Sequence, residues 1–177
     1  DQTWEALLSK IEVEGGTQKQ KEMFYSSLYR AFLWPALRSD VNGEYFDEKK
    51  HVVKATFNYY TVPSLWDTYR NLHQLMSLVY PKQQSDMVKS MLEMYDENGW
   101  LPKWELNSTE TFTMVGDPAS IVIADTYLKG IQDFDVQKAY KAMLKGADQL
   151  ENNPLRPGLK EYIGKGFVTT KNKGSVS

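Results

Sequence analysis

The sequence predicts an all-α fold built from antiparallel helical hairpins, and three observations carry that prediction. Apolar residues recur at helical spacing through nearly the whole chain. Gly and Pro punctuate the periodic stretches at short intervals, and the longer interruptions are polar and turn-rich. Short-linked helices of this kind pack as hairpins, which can stack as a bundle, a solenoid or an α/α toroid. No repeat of fixed period is present, which weighs against a regular solenoid.

The first helix places Trp4, Leu7, Leu8 and Ile11 on one face and closes at Gly15 and Gly16. Thr17 followed three residues later by Gln20 has the form of a capping box. It opens a second helix whose inner stripe is Met23, Phe24, Leu28, Tyr29, Phe32 and Leu33, stopped near Pro35. Residues 38–60 read as irregular, with a turn at Asn42 and Gly43 and a short hairpin that includes Val52, Val53, Ala55 and Phe57. Ser64 caps a third helix with Asp67 in its first turn; it runs to about Tyr80 and buries Leu72, Leu75, Met76 and Val79. Pro81 separates it from a fourth, with Met87, Val88, Met91, Leu92 and Tyr95 at helical spacing and an end at Asn98 and Gly99. Further helices are expected over 118–128 and, opened by Asp135, through Val136, Ala139, Tyr140, Met143 and Leu144. Residues 152–177 are rich in Gly, Pro and Asn and read as loop, with a polar end at 171–177.

Composition narrows the function by exclusion. A net charge of -2 gives no electrostatic drive toward nucleic acid. No stretch approaches the roughly 20 apolar residues of a membrane span. With no cysteine, a thiol nucleophile, a disulfide framework and a thiolate metal site are all out. His51 and His73 lack metal-ligand spacing, and a single helical histidine such as His73 more often has a structural role. Phosphate-loop, nucleophile-elbow and zinc motifs are absent as well.

Aromatic residues reach 13%, with 5 Trp and 11 Tyr, many of them in polar stretches. An aromatic face beside a carboxylate suits a sugar, whose C–H face packs on the ring while its hydroxyls bond the acid; the competing reading is ordinary core packing. Two places stand out. Trp66 and Asp67 sit at a helix opening, with Arg70 one turn on, able to pair with the carboxylate. The loop over 100–117 holds Trp100, Trp104, Glu105, Glu110 and Asp117, so it could bind a glycan through Trp104 and Glu105 or carry paired carboxylates for glycoside cleavage. A helical glycan-binding or scaffold domain and a toroid glycosidase both remain open on these residues.

Five strings settle on one family. IEVEGG (11–16), SDVNG (39–43), NYYTVPSLWDTYR (58–70), NGWLPKWE (98–105) and IADTYLKG (123–130) closely resemble, in order and spacing, the glycoside hydrolase family 92 α-mannosidases. The resemblance implies a β-sandwich domain followed by an (α/α)6 barrel, of which residues 1–177 would be the N-terminal part: a partial toroid, with the sandwich and the rest of the barrel absent. It implies removal of terminal α-linked mannose, α-1,2-mannosidase-like, from mannose-rich N-glycans or mannans, with inversion and with calcium at the subsite of the departing sugar. It also implies an exported, bacterial enzyme. Asp67 would contact mannose hydroxyls, with Trp66 and Arg70 shaping the pocket. The general acid, the base and the calcium ligands would lie downstream, contributed by the rest of the same polypeptide. This chain would then hold no catalytic or metal residue and be inactive alone. Where many members have a histidine after Met-x-Gly, this chain has Asp117, which puts any role carried over from that histidine in doubt.

Overall fold

The computed structural model describes residues 2–62 and 64–170; Asp1, Pro63 and the polar end at 171–177 lie outside the described residues. Eight helices and two small two-stranded antiparallel sheets make up the described fold, so the helical prediction holds. Helix α1 (Gln2–Leu8) lies against α2 (Gln18–Ala31). The capping box forms as expected: the Thr17 hydroxyl accepts from Gln20 N at 3.3 Å, and Gln20 Oε1 accepts from Thr17 N at 2.8 Å. The expected inner stripe of α2 forms only in part, with Phe24, Leu28 and Phe32 buried or half-buried. Leu28 is buried, whereas Met23, Tyr29 and Leu33 are exposed, because the seven-residue α1 is too short to cover a fourteen-residue helix. Trp4 against Tyr29 and Phe32, and Phe32 edge-on to Tyr80, tie this pair to the rest of the chain.

Strands β1 (Glu44–Phe46) and β2 (Val52–Lys54) form the first sheet, with Tyr45 opposite Val53. Ala55 and Phe57 fall outside it. Its tip is residues 47–51, closed by Asp47, which accepts from His51 N at 2.7 Å. Asn42 and Gly43 turn the chain before the sheet and not within it. A side chain at Gly43 would meet Ala55 O at 2.7 Å, at a φ of +84°.

The single helix expected from Ser64 to Tyr80 is two: α3 (Leu65–Thr68) and α4 (Leu72–Val79). Side chains take over the backbone at the break, where Gln74 Nε2 donates to Tyr69 O at 2.9 Å. Helix α5 (Pro81–Asn98) is the centre of the fold and packs on α4, on α6 (Pro118–Leu128) and on α7 (Val136–Asp148). Pro81 opens it and Gly99, left-handed at φ 83°, ends it. Asp135 caps α7 by accepting from Lys138 N at 2.8 Å. The core gathers Leu65, Val88, Met91, Leu101, Val122 and Leu155. Two elements go beyond what the sequence predicts. Strands β3 (Glu105–Leu106) and β4 (Thr109–Glu110) form a hairpin within the loop over 100–117, and α8 (Leu159–Lys165) lies in the stretch expected as loop. The hairpin turn is Asn107 and Ser108, at φ 50° and 66°, a conformation usually signalled by glycine.

A polar chain crosses the core from α3 to α6. Gln84 Nε2 donates to Thr126 Oγ1 at 2.8 Å, which turns Gln84 Oε1 toward His73 Nδ1 at 3.1 Å and puts the imidazole proton there. His73 Nε2 lies 3.0 Å from the Thr68 hydroxyl, whose proton it shares with Ser64 O at 3.1 Å. His73 is fully buried, and burial holds its pKa down at about 4, against the bond to Gln84. The unfolded chain, with an ordinary imidazole pKa near 6.5, binds the proton that the folded one refuses. Stability from this site is therefore complete above about pH 6.5 and falls as pH drops toward about 4, by roughly 3 kcal/mol. Melting temperature measured across this range should fall toward acid, and His73→Gln should flatten the slope.

Candidate functional site

The Asp67 turn is built on a buried apolar anchor. Leu65 is wholly inaccessible, and the one-turn helix α3 rises from it with Trp66 half-buried and Asp67 exposed. Ser64 makes no cap bond to the backbone; its hydroxyl donates to Asp67 Oδ2 at 2.7 Å. One carboxylate oxygen is thus steadied by a neutral donor and the group still faces outward. Arg70 does not pair with Asp67. The helix ends at Thr68, so the spacing expected of a continuous helix is lost, and the guanidinium lies over the Trp66 ring at 4.4 Å and near the Tyr69 ring at 5.0 Å. A cation over an indole contributes about 0.5–1 kcal/mol at an exposed site, enough to hold the ring in one orientation.

The Trp104 loop meets this turn through the backbone. Leu65 N donates to Lys103 O at 3.3 Å, and Glu105 N donates to Val62 O at 2.9 Å. These bonds place the segment carrying Trp104 alongside the segment that leads into Asp67. Four of the five predicted residues, Trp66, Asp67, Arg70 and Trp104, therefore sit on two paired segments; Trp104 is half-buried.

The fifth, Glu105, faces inward. It is 3% exposed and ion-paired to Arg38 at 2.9 Å, and it accepts from the backbone N–H of Ser108. Arg38 also donates to Phe46 O at 2.6 Å and to the Ser108 hydroxyl, so the pair fastens the β3–β4 turn to β1. Glu110 is likewise committed, 9% exposed and accepting from the N–H of Lys103 at 2.8 Å, Trp104 at 3.0 Å and Phe112 at 2.6 Å. Burial pushes its carboxyl pKa up, against those three bonds. Asp117 pairs with Arg156 at 3.2 Å and accepts from Ser120 Oγ at 2.8 Å. Its Oδ1 is buried without a donor among the described residues. It occupies the N-cap position of α6 without bonding the helix backbone. The loop's three carboxylates are structural acceptors, not an open acid–base pair.

The residues that sequence reasoning missed are those partners: Arg38, Glu48 and Arg156. Glu48 Oε1 accepts from Glu110 N at 3.2 Å and Asn98 Nδ2 at 3.0 Å, across a separation no local spacing reveals. Arg38 directly precedes the SDVNG string, which was the available signal. A cleft of about 360 Å³ opens on the Glu105 side of the loop, between Trp34, Arg38, Thr61 and the 106–108 turn. Among the described residues no group of three or more His, Asp or Glu side chains could hold a metal ion.

The antiparallel helical frame is of the α/α type, and solved glycoside hydrolases share it. The glycosyl hydrolase family 92 catalytic domain matches residues 1–177, and the chain belongs to that family. The family GH92 α-mannosidase BT3965 from Bacteroides thetaiotaomicron superposes with a TM-score of 0.81 at 38% identity, covering 90% of this chain and 21% of that one. Its complex with mannoimidazole gives 0.85 at 37%, covering 95% and 22%. The family GH92 inverting mannosidase BT2199 from Bacteroides thetaiotaomicron VPI-5482 gives 0.79 at 30%, covering 96% and 24%. An uncharacterized secreted glycosidase of Arthroderma benhamiae is 26% identical over 151 residues, 84% of this chain and 15% of that protein. The chain thus spans about a quarter or less of each relative.

The geometry predicts the outcome of one loop substitution. Glu110→Gln turns an amide N–H toward backbone donors and leaves at least one of them unsatisfied, at a cost of about 1–3 kcal/mol. Thermal melting of the variant should drop accordingly.

Proposed function

We propose that this chain is the leading part of the barrel of an exported exo-α-mannosidase, and that it supplies one wall of the pocket for the terminal mannose. The observation that carries the reading is Asp67, an exposed carboxylate whose turn is anchored by Leu65 and bridged to Lys103. Its support from relatives is the α-mannosidase BT3965, solved with mannoimidazole, and the inverting mannosidase BT2199. The secreted relative supports export, and no described helix is long and apolar enough to cross a membrane.

On this reading Asp67 accepts hydroxyl hydrogen bonds from the sugar, with Ser64 fixing the other face of the carboxylate. Trp66, steadied by Arg70, and Trp104 provide the apolar walls. An inverting hydrolase needs an acid to protonate the leaving oxygen and a base to activate water on the opposite face, with carboxyl groups ~6.5–9.5 Å apart. Glu105, Glu110 and Asp117 are buried and held by structural partners, so both groups come from elsewhere in the full-length enzyme. On this reading any calcium ligands also lie elsewhere, since no described group of three or more His, Asp or Glu side chains could hold a metal ion. The substrates are mannose-rich N-glycans or mannans, cleaved with α-1,2 preference.

In the full-length enzyme, Asp67→Ala should lower kcat/KM for an α-mannoside by about 10- to 100-fold, the effect of losing a charge-assisted hydrogen bond of ~1.5–3 kcal/mol. The 177-residue chain alone should release no mannose, with or without added calcium. Wild-type kinetics in the Asp67 variant, or calcium-dependent hydrolysis by the isolated chain, would overturn this reading.

A further inference from the structure

Residues 153–156, just ahead of α8, touch both ends of the loop that carries Trp104. Near its start, the Lys103 ammonium donates to the carbonyls of Pro154 at 3.4 Å and Leu155 at 3.2 Å. At its end, Asp117 pairs with Arg156. The segment is itself rigid. Asn153 Nδ2 donates to Gly146 O at 2.8 Å and Gln149 O at 3.0 Å, and its Oδ1 accepts from Leu155 N and Arg156 N, each at 3.0 Å. Leu155 is locked in the core. Gly146 lets α7 approach, since a Cβ there would stand 3.0 Å from Asp117 Oδ2 and 3.2 Å from Leu155 Cδ1.

Lys103 joins this segment to the candidate site. Its side chain reaches the 154–155 carbonyls, its carbonyl accepts from Leu65 N beneath the Asp67 turn, and its own N–H goes to Glu110. Lys103 is 2% exposed, and burial pushes its pKa down while the charges of Asp117 and Glu110 oppose the shift. Two cations and two carboxylates are thus buried or half-buried together. A cluster of this kind is a costly way to gain stability, because apolar residues of similar volume commonly do as well or better.

We propose that residues 153–156 act as a clasp that sets the position of Trp104 relative to Asp67, and that Lys103, Asp117 and Arg156 are positioning residues for the bound sugar. The inference rests on the sugar-site reading of Asp67 and Trp104. Stacking of a sugar face on Trp104 is present in ground and transition state alike, so its loss raises KM and leaves kcat little changed.

The test is a double-mutant cycle in the full-length enzyme, at a temperature where circular dichroism shows every variant folded. Arg156→Met, at a residue with a 34% accessible side chain, is the milder probe, and Lys103→Met the harsher. Each should raise KM for a chromogenic α-mannoside about 5- to 10-fold, weaken mannoimidazole binding by calorimetry to the same degree, and keep kcat within about twofold. Arg156→Met should add nothing to the KM of Trp104→Ala, because both act through the same ring. Arg156→Lys should recover part of the loss. Additive effects with Trp104→Ala, or lower melting temperature with unchanged KM, would overturn the clasp. Asp67→Ala is the control: if it loses affinity and the clasp variants do not, the clasp alone fails; if it retains wild-type affinity and kcat/KM, the site reading and the clasp fail together.

Discussion

The loop that carries Trp104 holds together because one carboxylate collects its backbone N–H groups. Glu110 receives the amides of Lys103, Trp104 and Phe112, donors that a tight, buried turn would otherwise leave without acceptors. Everything downstream of that arrangement follows. With those amides satisfied, the carbonyl of Lys103 remains to accept from Leu65, and the amide of Glu105 to donate to Val62. The Asp67 turn is therefore fixed to the loop by main-chain bonds, which do not depend on any rotamer. The bond count explains why an acid tolerates burial here: hydrogen bonds to a charged acceptor contribute about 1.5–3 kcal/mol each, against a desolvation cost that would expel an unpaired carboxylate.

The other side of the turn is held by α5, whose buried face is partly polar. Gln84 reaches His73 and Thr126, while Ser90 accepts from Tyr60 N at 2.9 Å and donates to Asp86 O. An apolar face would pack equally well in several rotations of neighbouring segments; directional bonds select one. The bond to Tyr60 fixes the stretch that leads into Val62 and so into the Asp67 turn. Helix α5 thus supplies the frame, and Glu110 the local order, for one short pair of segments.

Much of this frame was legible in the sequence. Thr17 with Gln20, Pro81, Gly99 and Asp135 marked helix ends by mechanisms that act locally, and each did so in the structure. The failures share a cause. The Asn107–Ser108 turn lacks the glycine that normally permits its backbone, and it is held by Glu105, Arg38 and Lys50 from outside the turn. The break between α3 and α4 arises where Trp66 and Tyr69 take Arg70 onto their rings and Gln74 bonds the backbone, neither of which periodicity reveals. Helix α8 forms among Gly and Pro residues because Leu159 has a core position to fill and Gly166 supplies a left-handed cap. The α2 stripe was patterned for burial that α1 only begins to provide.

The same distinction explains why an acid beside a tryptophan had two fates here. Glu105 and Asp67 are each adjacent to an indole, and nothing in their immediate sequence separates them. Glu105 lies in a strand facing Arg38, with backbone amides within reach, so the fold neutralises its charge and fills its lone pairs. Asp67 lies on a turn exposed to solvent, where one neutral hydroxyl is the donor it receives. A carboxylate with spent lone pairs can shape a site but has little left to offer a ligand. One that the fold leaves partly unsatisfied, yet holds still, can exchange water for a ligand's donors at small reorganisation cost. Proximity to an aromatic residue finds both acids; the number of donors already spent tells them apart.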